Sequence, residues 1–296
     1  MKRFAIILSM VLIAAFAFNA CDKDTTKGTL SLSITDAPID TDGIAAVYIT
    51  IQEIHYHISG NDWAVFEDFE GPMKFNLLDL TRGESSLLGN LEMEAGTYAQ
   101  LRFILDAPIA GFAPISNPGC YLEFEDGTTQ PLYVPSGSQT GYKAVGTFTV
   151  PANGSVSVTA DFDVRKSVVW AGASGIYILK PTIRLIVDNQ AGQIAGDVSN
   201  IPEGRQIVVY AYEENTYNEG EANEPADEEA RFPNAITSDM VDENGSYYLA
   251  YLAPGTYELV VISTIDGEFE IVLGAIVEID VESGKTTSVQ IDIAVL

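Results

Sequence analysis

The strongest constraint on the fold is a hydrophobic period of two that starts at Gly28 and continues to the C-terminus. Leu30, Leu32 and Ile34 alternate with polar residues, and the same spacing recurs over residues 99–105. Successive side chains of a strand point to opposite faces, so this alternation predicts strands with one buried face. The strand-like runs are short and separated by Gly, Pro, Asn and Asp. The pattern therefore predicts an all-β chain built as a β-sandwich.

The hydrophobic period of two is interrupted at residues 188–192 and resumes after them. Together with the chain length of 296 residues, this break predicts two antiparallel β-sandwich domains, residues 28–188 and 189–296. A change of parity near Gln52 predicts a β-bulge, and residues 75–80 read as a helical turn. Residues 213–230 hold eight carboxylates and no aliphatic core positions, so we expect a long solvated loop there.

The N-terminus has the order of a secretory signal peptide. Lys2 and Arg3 precede an apolar run over residues 4–18, which is shorter than the ~20 residues of a membrane span. We therefore expect residues 1–20 to be removed; an uncleaved anchor or a buried helix is the alternative. Residues 18–21 (FNAC) resemble a bacterial lipobox, which implies that Cys21 is diacylated and that residues 21–27 form a tether.

Acidic residues dominate the charge of the chain. It carries 15 basic and 42 acidic residues, a net charge of −27, and loss of Lys2 and Arg3 with the signal would leave −29. Such a charge opposes binding to nucleic acid and to anionic membrane surfaces, so lipid alone would hold the protein to a membrane. If Cys21 carries lipid, Cys120 is the only other cysteine. No disulfide is then expected, and Cys120 is predicted to be a buried apolar residue.

Residues 28–187 resemble a bacterial lipoprotein family known as domain-of-unknown-function family 4382. The matching stretches are residues 32–38 (LSITDAP), 95–98 (AGTY), 136–141 (SGSQTG), 161–163 (DFD) with Ser167, and 179–184 (LKPTIR). The resemblance implies no catalytic residues. It implies a lipid-anchored protein of the outer membrane, displayed at the cell surface, with the periplasmic face as the alternative. In bacteria that carry this family, acidic residues after the lipidated cysteine can mark export to the cell surface. Asp22 and Asp24 fit that pattern.

The second unit resembles the transthyretin-like, carboxypeptidase-regulatory-like β-sandwich. The matching stretches are residues 191–198 (AGQIAGDV), 209–212 (VYAY), 242–249 (DENGSYYL) and 252–259 (LAPGTYEL). Such domains are accessory, so no peptidase activity is implied, and some members of the wider fold bind carbohydrate. A Gly-Thr-Tyr echo at residues 96–98 and 255–257 points to two related sandwiches or to independent use of one turn. We expect each glycine to supply a positive φ.

Two groups of carboxylates are candidate functional residues. Asp36, Asp40 and Asp42 crowd one Pro-containing loop and could supply oxygen ligands to calcium. Their spacing is not that of an EF-hand, and hydrogen bonds that set turns are the alternative. Asp161 and Asp163 share a strand face. We expect them to pair with nearby Arg and Lys side chains in a structural polar cluster rather than to act as a general acid and base.

Aromatic residues carry the remaining binding hypothesis. Tyr210, Tyr212 and Tyr217 border the acidic residues, and aromatic faces beside carboxylates suit sugar rings; packing in the core is the alternative. Trp63 and Trp170 could lie in the core or at a rim. No Gly-x-Ser-x-Gly or His-Glu-x-x-His motif occurs, so no enzyme activity and no cofactor besides calcium are predicted.

The predicted function is that of a non-catalytic envelope lipoprotein acting in binding or display. Its partner would be a glycan, bound through the C-terminal sandwich, or another envelope protein. The alternative is a structural pilus- or fimbria-like subunit or an adhesin.

Overall fold

The computed structural model describes residues 26–36, 43–57, 63–108 and 116–296, and over these residues the chain is nearly all β. This confirms the predicted fold class. The first thirteen strands are β1 (Lys27–Thr35), β2 (Ile44–His57), β3 (Trp63–Val65), β4 (Met73–Asn76), β5 (Ser86–Glu94), β6 (Gly96–Leu105), β7 (Tyr121–Phe124), β8 (Thr129–Tyr133), β9 (Tyr142–Val150), β10 (Ser155–Phe162), β11 (Val168–Ala171), β12 (Ile176–Leu179) and β13 (Ile183–Val187). A 3-10 turn covers Leu77–Leu80, and the helical turn α1 covers Val164–Ser167.

These strands form the N-terminal unit as one continuous sheet. Its order is β11-β12-β8-β7-β2-β6-β9-β13-β10-β1-β5, with β3 and β4 also paired to β2. The sheet curls around a main core, where Phe103 of β6 meets Phe162 of β10 with ring centroids 5.5 Å apart. A small separate cluster lies on β11 and β12. Most neighbouring strands are antiparallel, as predicted, but three pairs are not. β1 with β10, β8 with β12, and β9 with β13 are parallel because the chain crosses the sandwich before it returns to pair.

The C-terminal unit consists of two sheets packed face to face. Its strands are β14 (Gly192–Ser199), β15 (Gln206–Glu213), β16 (Thr237–Met240), β17 (Ser246–Leu252), β18 (Gly255–Ile265), β19 (Glu268–Val281), β20 (Thr286–Ser288) and β21 (Ile291–Asp292), with 3-10 turns at Asp188–Gln190, Glu219–Ala222 and Ile293–Val295. One sheet has the order β17-β14-β20, with β21 also on β14, and the other β16-β15-β18-β19. Ile194 and Leu249 of the first sheet pack with Val209 and Val261 of the second. Strands β20 and β21 pair with β14 in parallel.

Strand β15 is buried on both faces, which is why it breaks the alternation. Residues 207–212 are all buried. One face lies in the core between the two sheets, and the other packs beneath Phe232 and Ala235, which follow the acidic residues in the chain. A strand covered on both sides has a continuous apolar run instead of a period of two.

The Gly-Thr-Tyr echo has a physical basis in its tyrosines. The hydroxyl of Tyr98 donates to the carbonyl of Glu94 at 2.8 Å, and that of Tyr257 donates to the carbonyl of Ala253 at 2.8 Å. Both rings are buried, so each pins the start of its strand to the residue four positions earlier. The expected positive φ is wrong, because neither preceding glycine has one.

Two local predictions are confirmed. The pairing of β2 with β6 shifts register between Ile51 and Glu53, which places a bulge at Gln52. A 3-10 turn over Leu77–Leu80 lies within the predicted helical turn, and the Asn76 side chain caps it by accepting from the Leu78 N–H. Such a cap satisfies a donor that the turn itself leaves open.

Candidate functional site

The carboxylates at the end of β10 form a paired cluster where the two units meet. Arg184 Nε donates to Asp161 Oδ2 at 2.7 Å. Asp163 Oδ2 lies 3.3 Å from Arg165 Nη2 and 3.1 Å from Lys166 Nζ. Both aspartates and Arg165 are buried. These pairs confirm the predicted structural polar cluster. The predicted shared strand face is wrong, because β10 ends at Phe162 and Asp163 begins the helical turn that follows.

Two carboxylates position the helical turn α1, which carries Arg165. Asp163 caps the turn, because its Oδ1 accepts from the Lys166 N–H at 3.3 Å. Asp36 Oδ1 accepts from the Val164 N–H at 2.9 Å. Backbone donors at a helix start have no partner within the helix, so these contacts fix where the turn begins and where Arg165 points.

Arg165 crosses from the N-terminal unit into the C-terminal unit. Its guanidinium donates to the backbone carbonyls of Arg231 at 3.2 Å, Phe232 at 2.7 Å and Ala235 at 3.3 Å. It also lies 5.3 Å from the centroid of the Tyr210 ring. The planar fork of donors in arginine suits several acceptors at once, so this one side chain holds the turn around Phe232 against the first unit.

Two more arginines bridge the units. Arg184 Nη1 donates to the carbonyl of Tyr251 at 3.0 Å, and the Tyr251 hydroxyl donates to the carbonyl of Gly83 at 3.2 Å. Arg82 lies 3.6 Å from the carboxylate of Asp239. The junction is thus held by charged groups at several separate points.

Burial shapes the electrostatics of this junction. Burial raises the pKa of Asp239 to about 6, opposed by a hydrogen bond from the Tyr248 N–H and by the charge of Arg82. Burial also raises the pKa of Asp161, opposed by the charge of Arg184. Burying an ionised carboxylate costs free energy unless the carboxylate is paired. Here the partners are groups of the protein itself, so the carboxylates help to hold the structure together.

The acidic segment, residues 213–230, is largely exposed, as expected of a solvated loop, and it also contacts the N-terminal unit. Asp227 Oδ1 accepts from the Gly172 N–H at 2.8 Å, and the Glu228 N–H donates to the carbonyl of Trp170 at 3.3 Å. Lys180 Nζ lies 2.5 Å from the Glu228 carboxylate. These contacts attach the segment to the β11–β12 hairpin of the N-terminal unit.

An open cleft of about 340 Å³ lies between this hairpin and the C-terminal unit. Its walls combine three aromatic rings, three carboxylates and two arginines: Trp170, Tyr177, Phe269, Glu224, Glu229, Glu268, Arg165 and Arg231. The Trp170 side chain is 46% exposed, and its ring centroid lies 4.8 Å from that of Tyr177. The volume falls within the range of small-molecule sites, about 300–1,000 Å³. We therefore take this cleft as the candidate binding site.

The tyrosines predicted to contact a sugar lie elsewhere. Tyr210 and Tyr212 are fully buried, packed in a small core with Phe232, and so offer no open face to a ligand. Tyr217 is half-buried, with its ring centroid 5.2 Å from that of Tyr212. Tyr210 and Tyr212 therefore follow the alternative of packing in the core. They are buried because the segment around Phe232 covers the outer face of β15.

Of the predicted calcium ligands, only Asp36 falls within the described residues. It is buried and accepts from the backbone of α1. Asp40 and Asp42 lie outside the described part of the chain, so the calcium site stays a prediction. Within residues 26–36, 43–57, 63–108 and 116–296, no group of three or more His, Cys, Asp or Glu side chains is placed to hold a metal ion.

Of the two cysteines, only Cys120 lies within the residues that the structure describes. Cys21, with the proposed signal peptide and most of the tether, lies outside the described residues. Cys120 is fully buried as a free thiol, as predicted, and burial raises its pKa to about 12. No helix in the described part of the chain is long and apolar enough to cross a membrane.

Sequence reasoning missed the cleft, although it contained one signal. Within β11, Val169 and Ala171 are buried, and alternation places Trp170 on the opposite, open face. What the sequence could not provide is the other wall, because Phe269 and Glu268 come from a hairpin about a hundred residues later.

Comparison with solved structures gives weak likenesses. The minor pilin GBS52 of Streptococcus agalactiae is 13% identical, with 88% of this chain and 94% of that chain covered and a TM-score of 0.22. The shaft pilin SpaA of Lactobacillus rhamnosus GG is 12% identical, with coverages of 90% and 98% and a TM-score of 0.21. For the TIE protein of Bacillus anthracis the identity is 10% and the TM-score 0.21; the match covers 90% of this chain but only 34% of TIE. TM-scores this low carry no argument about function.

No curated protein matches the chain. A family model does: the one described as "Domain of unknown function (DUF4382)" matches residues 27–181, the part of the chain that supplies β1 to β12, α1 and the arginines Arg82 and Arg165. Because this match covers more than half of the 296 residues, the chain belongs to the DUF4382 family.

Proposed function

We propose that this protein is a lipid-anchored, non-catalytic protein of the cell envelope that acts by binding, with carbohydrate as its ligand class. The observation that carries the proposal is the cleft beside Trp170. An exposed indole face can pack against the apolar face of a sugar ring, and the carboxylates of Glu229 and Glu268 can accept hydrogen bonds from hydroxyl groups. The ligand site thus moves from the C-terminal sandwich alone to the junction of the two units.

A binding role rather than catalysis fits the use of the buried polar groups. Asp161 pairs with Arg184, and Asp163 pairs with Arg165 and Lys166. The two arginines in turn donate to backbone carbonyls of the C-terminal unit, so these groups help to join the two units. The thiol of Cys120 is fully buried and its pKa is raised, which disfavours the thiolate a nucleophile needs.

The proposed location is the outer membrane, with lipid on Cys21 and the body facing outward. A net charge of −29 after removal of residues 1–20 keeps such a body away from an anionic surface. Metabolic labelling with a fatty acid should mark the wild type and not Cys21→Ser. Protease shaving of intact cells should remove the body; resistance in intact cells but not in lysed cells would place it on the periplasmic face. Labelling of Cys21→Ser would end the anchor proposal.

Carbohydrate binding is tested on an array of glycans with the purified protein. Trp170→Ala should weaken binding about fivefold, since a good aromatic contact contributes roughly 1 kcal/mol. Leu87→Ala is a matched control, because Leu87 is 53% exposed on β5 and does not line the cleft. Binding to no glycan, or equal binding by Trp170→Ala, would reject the proposal.

One observation favours the alternative of a pilus-like subunit. β19 is a 14-residue strand at the edge of its sheet, with Ile271 54% and Val277 57% exposed. An open edge can accept a strand from another chain. Polymer ladders on gentle electrophoresis that Val277→Lys abolishes would favour this role, whereas a monomer at all concentrations would exclude it.

A further inference from the structure

The arginines of the cleft are already engaged by the protein itself. Arg231 donates to the carbonyls of Ala222 at 2.5 Å and Asn223 at 2.8 Å, and to Glu224 Oε2 at 2.8 Å. Arg165 is occupied by Asp163 and by three backbone carbonyls across the junction. Neither guanidinium is therefore disposed to receive an anionic ligand.

Two carboxylates of the cleft, in contrast, are not paired with groups of the protein. Glu229 and Glu268 are exposed, and neither side chain forms an ion pair or hydrogen bond within the described part of the chain. They share the cleft with Trp170 and Tyr177, on a protein whose net charge is −27. The cleft thus combines excess negative charge with aromatic faces.

This combination is the chemistry that recognises an ammonium group. A cation is attracted to an aromatic face and to nearby carboxylates, and an overall negative field raises the local concentration of cations. The cleft already holds one example, since the guanidinium of Arg231 lies 4.5 Å from the centroid of Phe269 and pairs with Glu224.

We propose that the cleft binds a short saccharide that carries a free, protonated amino group. The proposal rests on the proposed carbohydrate function and narrows it to one ligand class. Trp170 would pack against the sugar ring, and Glu229 and Glu268 would face the ammonium. Acidic saccharides are disfavoured by the same charges, and N-acetylated ones lack the cation.

The test compares saccharides that share a pyranose ring and differ in whether the group on carbon 2 is charged. Calorimetric titration of the whole protein uses glucosamine oligomers, their fully N-acetylated forms and neutral glucose oligomers of equal length. We expect the free-amine oligomer to bind about tenfold tighter than the other two at low salt. Because Glu229 and Glu268 are exposed, the preference should shrink as salt is added.

Matched variants locate the effect. Glu229→Gln with Glu268→Gln should abolish the preference while keeping the binding of the N-acetylated form. Glu243→Gln, an exposed carboxylate on the turn after β16, should leave it unchanged. Trp170→Ala should weaken the binding of all three kinds of oligomer, and Trp170→Phe should retain part of the affinity. Thermal melting checks that each variant is folded.

The outcomes separate the inference from the function on which it rests. Equal affinity for amine and N-acetylated oligomers overturns the inference but leaves carbohydrate binding intact. Binding of no saccharide overturns both. Equal binding of a lysine-containing peptide would overturn the assignment to saccharides.

Discussion

Replacing Arg165 with methionine tests whether buried charge holds the two units together. Arg165 is 4% exposed and donates to the carbonyls of Arg231, Phe232 and Ala235 and to Asp163. Methionine fills much of the volume of the side chain but donates no hydrogen bond. The variant leaves three carbonyls of the other unit and one buried carboxylate with fewer partners.

The magnitude follows from these contacts. An unsatisfied buried acceptor costs about 1–3 kcal/mol, and breaking a buried ion pair by removing one partner costs about 3–5 kcal/mol. These terms overlap, and Lys166 still faces Asp163, so we expect Arg165→Met to lower the free energy of unfolding by about 3–5 kcal/mol. Arg165→Lys keeps the charge without the planar fork and should lie between methionine and the wild type.

The assay is urea unfolding followed by far-ultraviolet circular dichroism and by tryptophan fluorescence, since Trp170 lies beside the junction. Arg205→Met is the control, because Arg205 pairs with Glu270 at the surface of the C-terminal unit alone. Such a pair contributes about 0–1 kcal/mol. If Arg165→Met costs no more than this control, the reasoning about the junction is wrong.

Three further predictions follow from single groups. Tyr98→Phe and Tyr257→Phe should each lower the free energy of unfolding by about 1 kcal/mol in urea titrations, because each leaves a carbonyl without its donor; unchanged stability would contradict the pinning role. Asp239 has a raised pKa of about 6 in the folded protein, so its contribution is most favourable below the unfolded pKa of 3.8 and is lost as pH rises to about 6. Relative to Asp239→Asn, the wild type should lose up to about 3 kcal/mol over that interval, and parallel pH profiles would refute the assignment. Cys120 should react with a thiol reagent only after unfolding, because its thiol is buried; rapid reaction in the native protein would contradict the burial.

Much of the fold is predictable from local pattern. Alternation identified strands, the parity change placed the bulge at Gln52, and the polar residues near 188 form a 3-10 turn between β13 and β14. Each signal depends only on neighbours in the chain, because the two-residue period of a strand is a local property. Pairing direction was not predictable in this way: β1 and β10 run parallel although about 120 residues separate them.

Some features of the candidate site were likewise predictable from the local sequence, and others were not. The sequence by itself determined that Asp161 and Asp163 pair with nearby cations, that Cys120 is buried, and that the chain is all β, because composition and spacing along the chain suffice for these conclusions. Only the tertiary structure decided that Arg165 reaches carbonyls some seventy residues away and that Trp170 and Phe269 line the same cleft. Contacts between distant segments depend on how two independently patterned units dock, and hydrophobic period carries no information about docking.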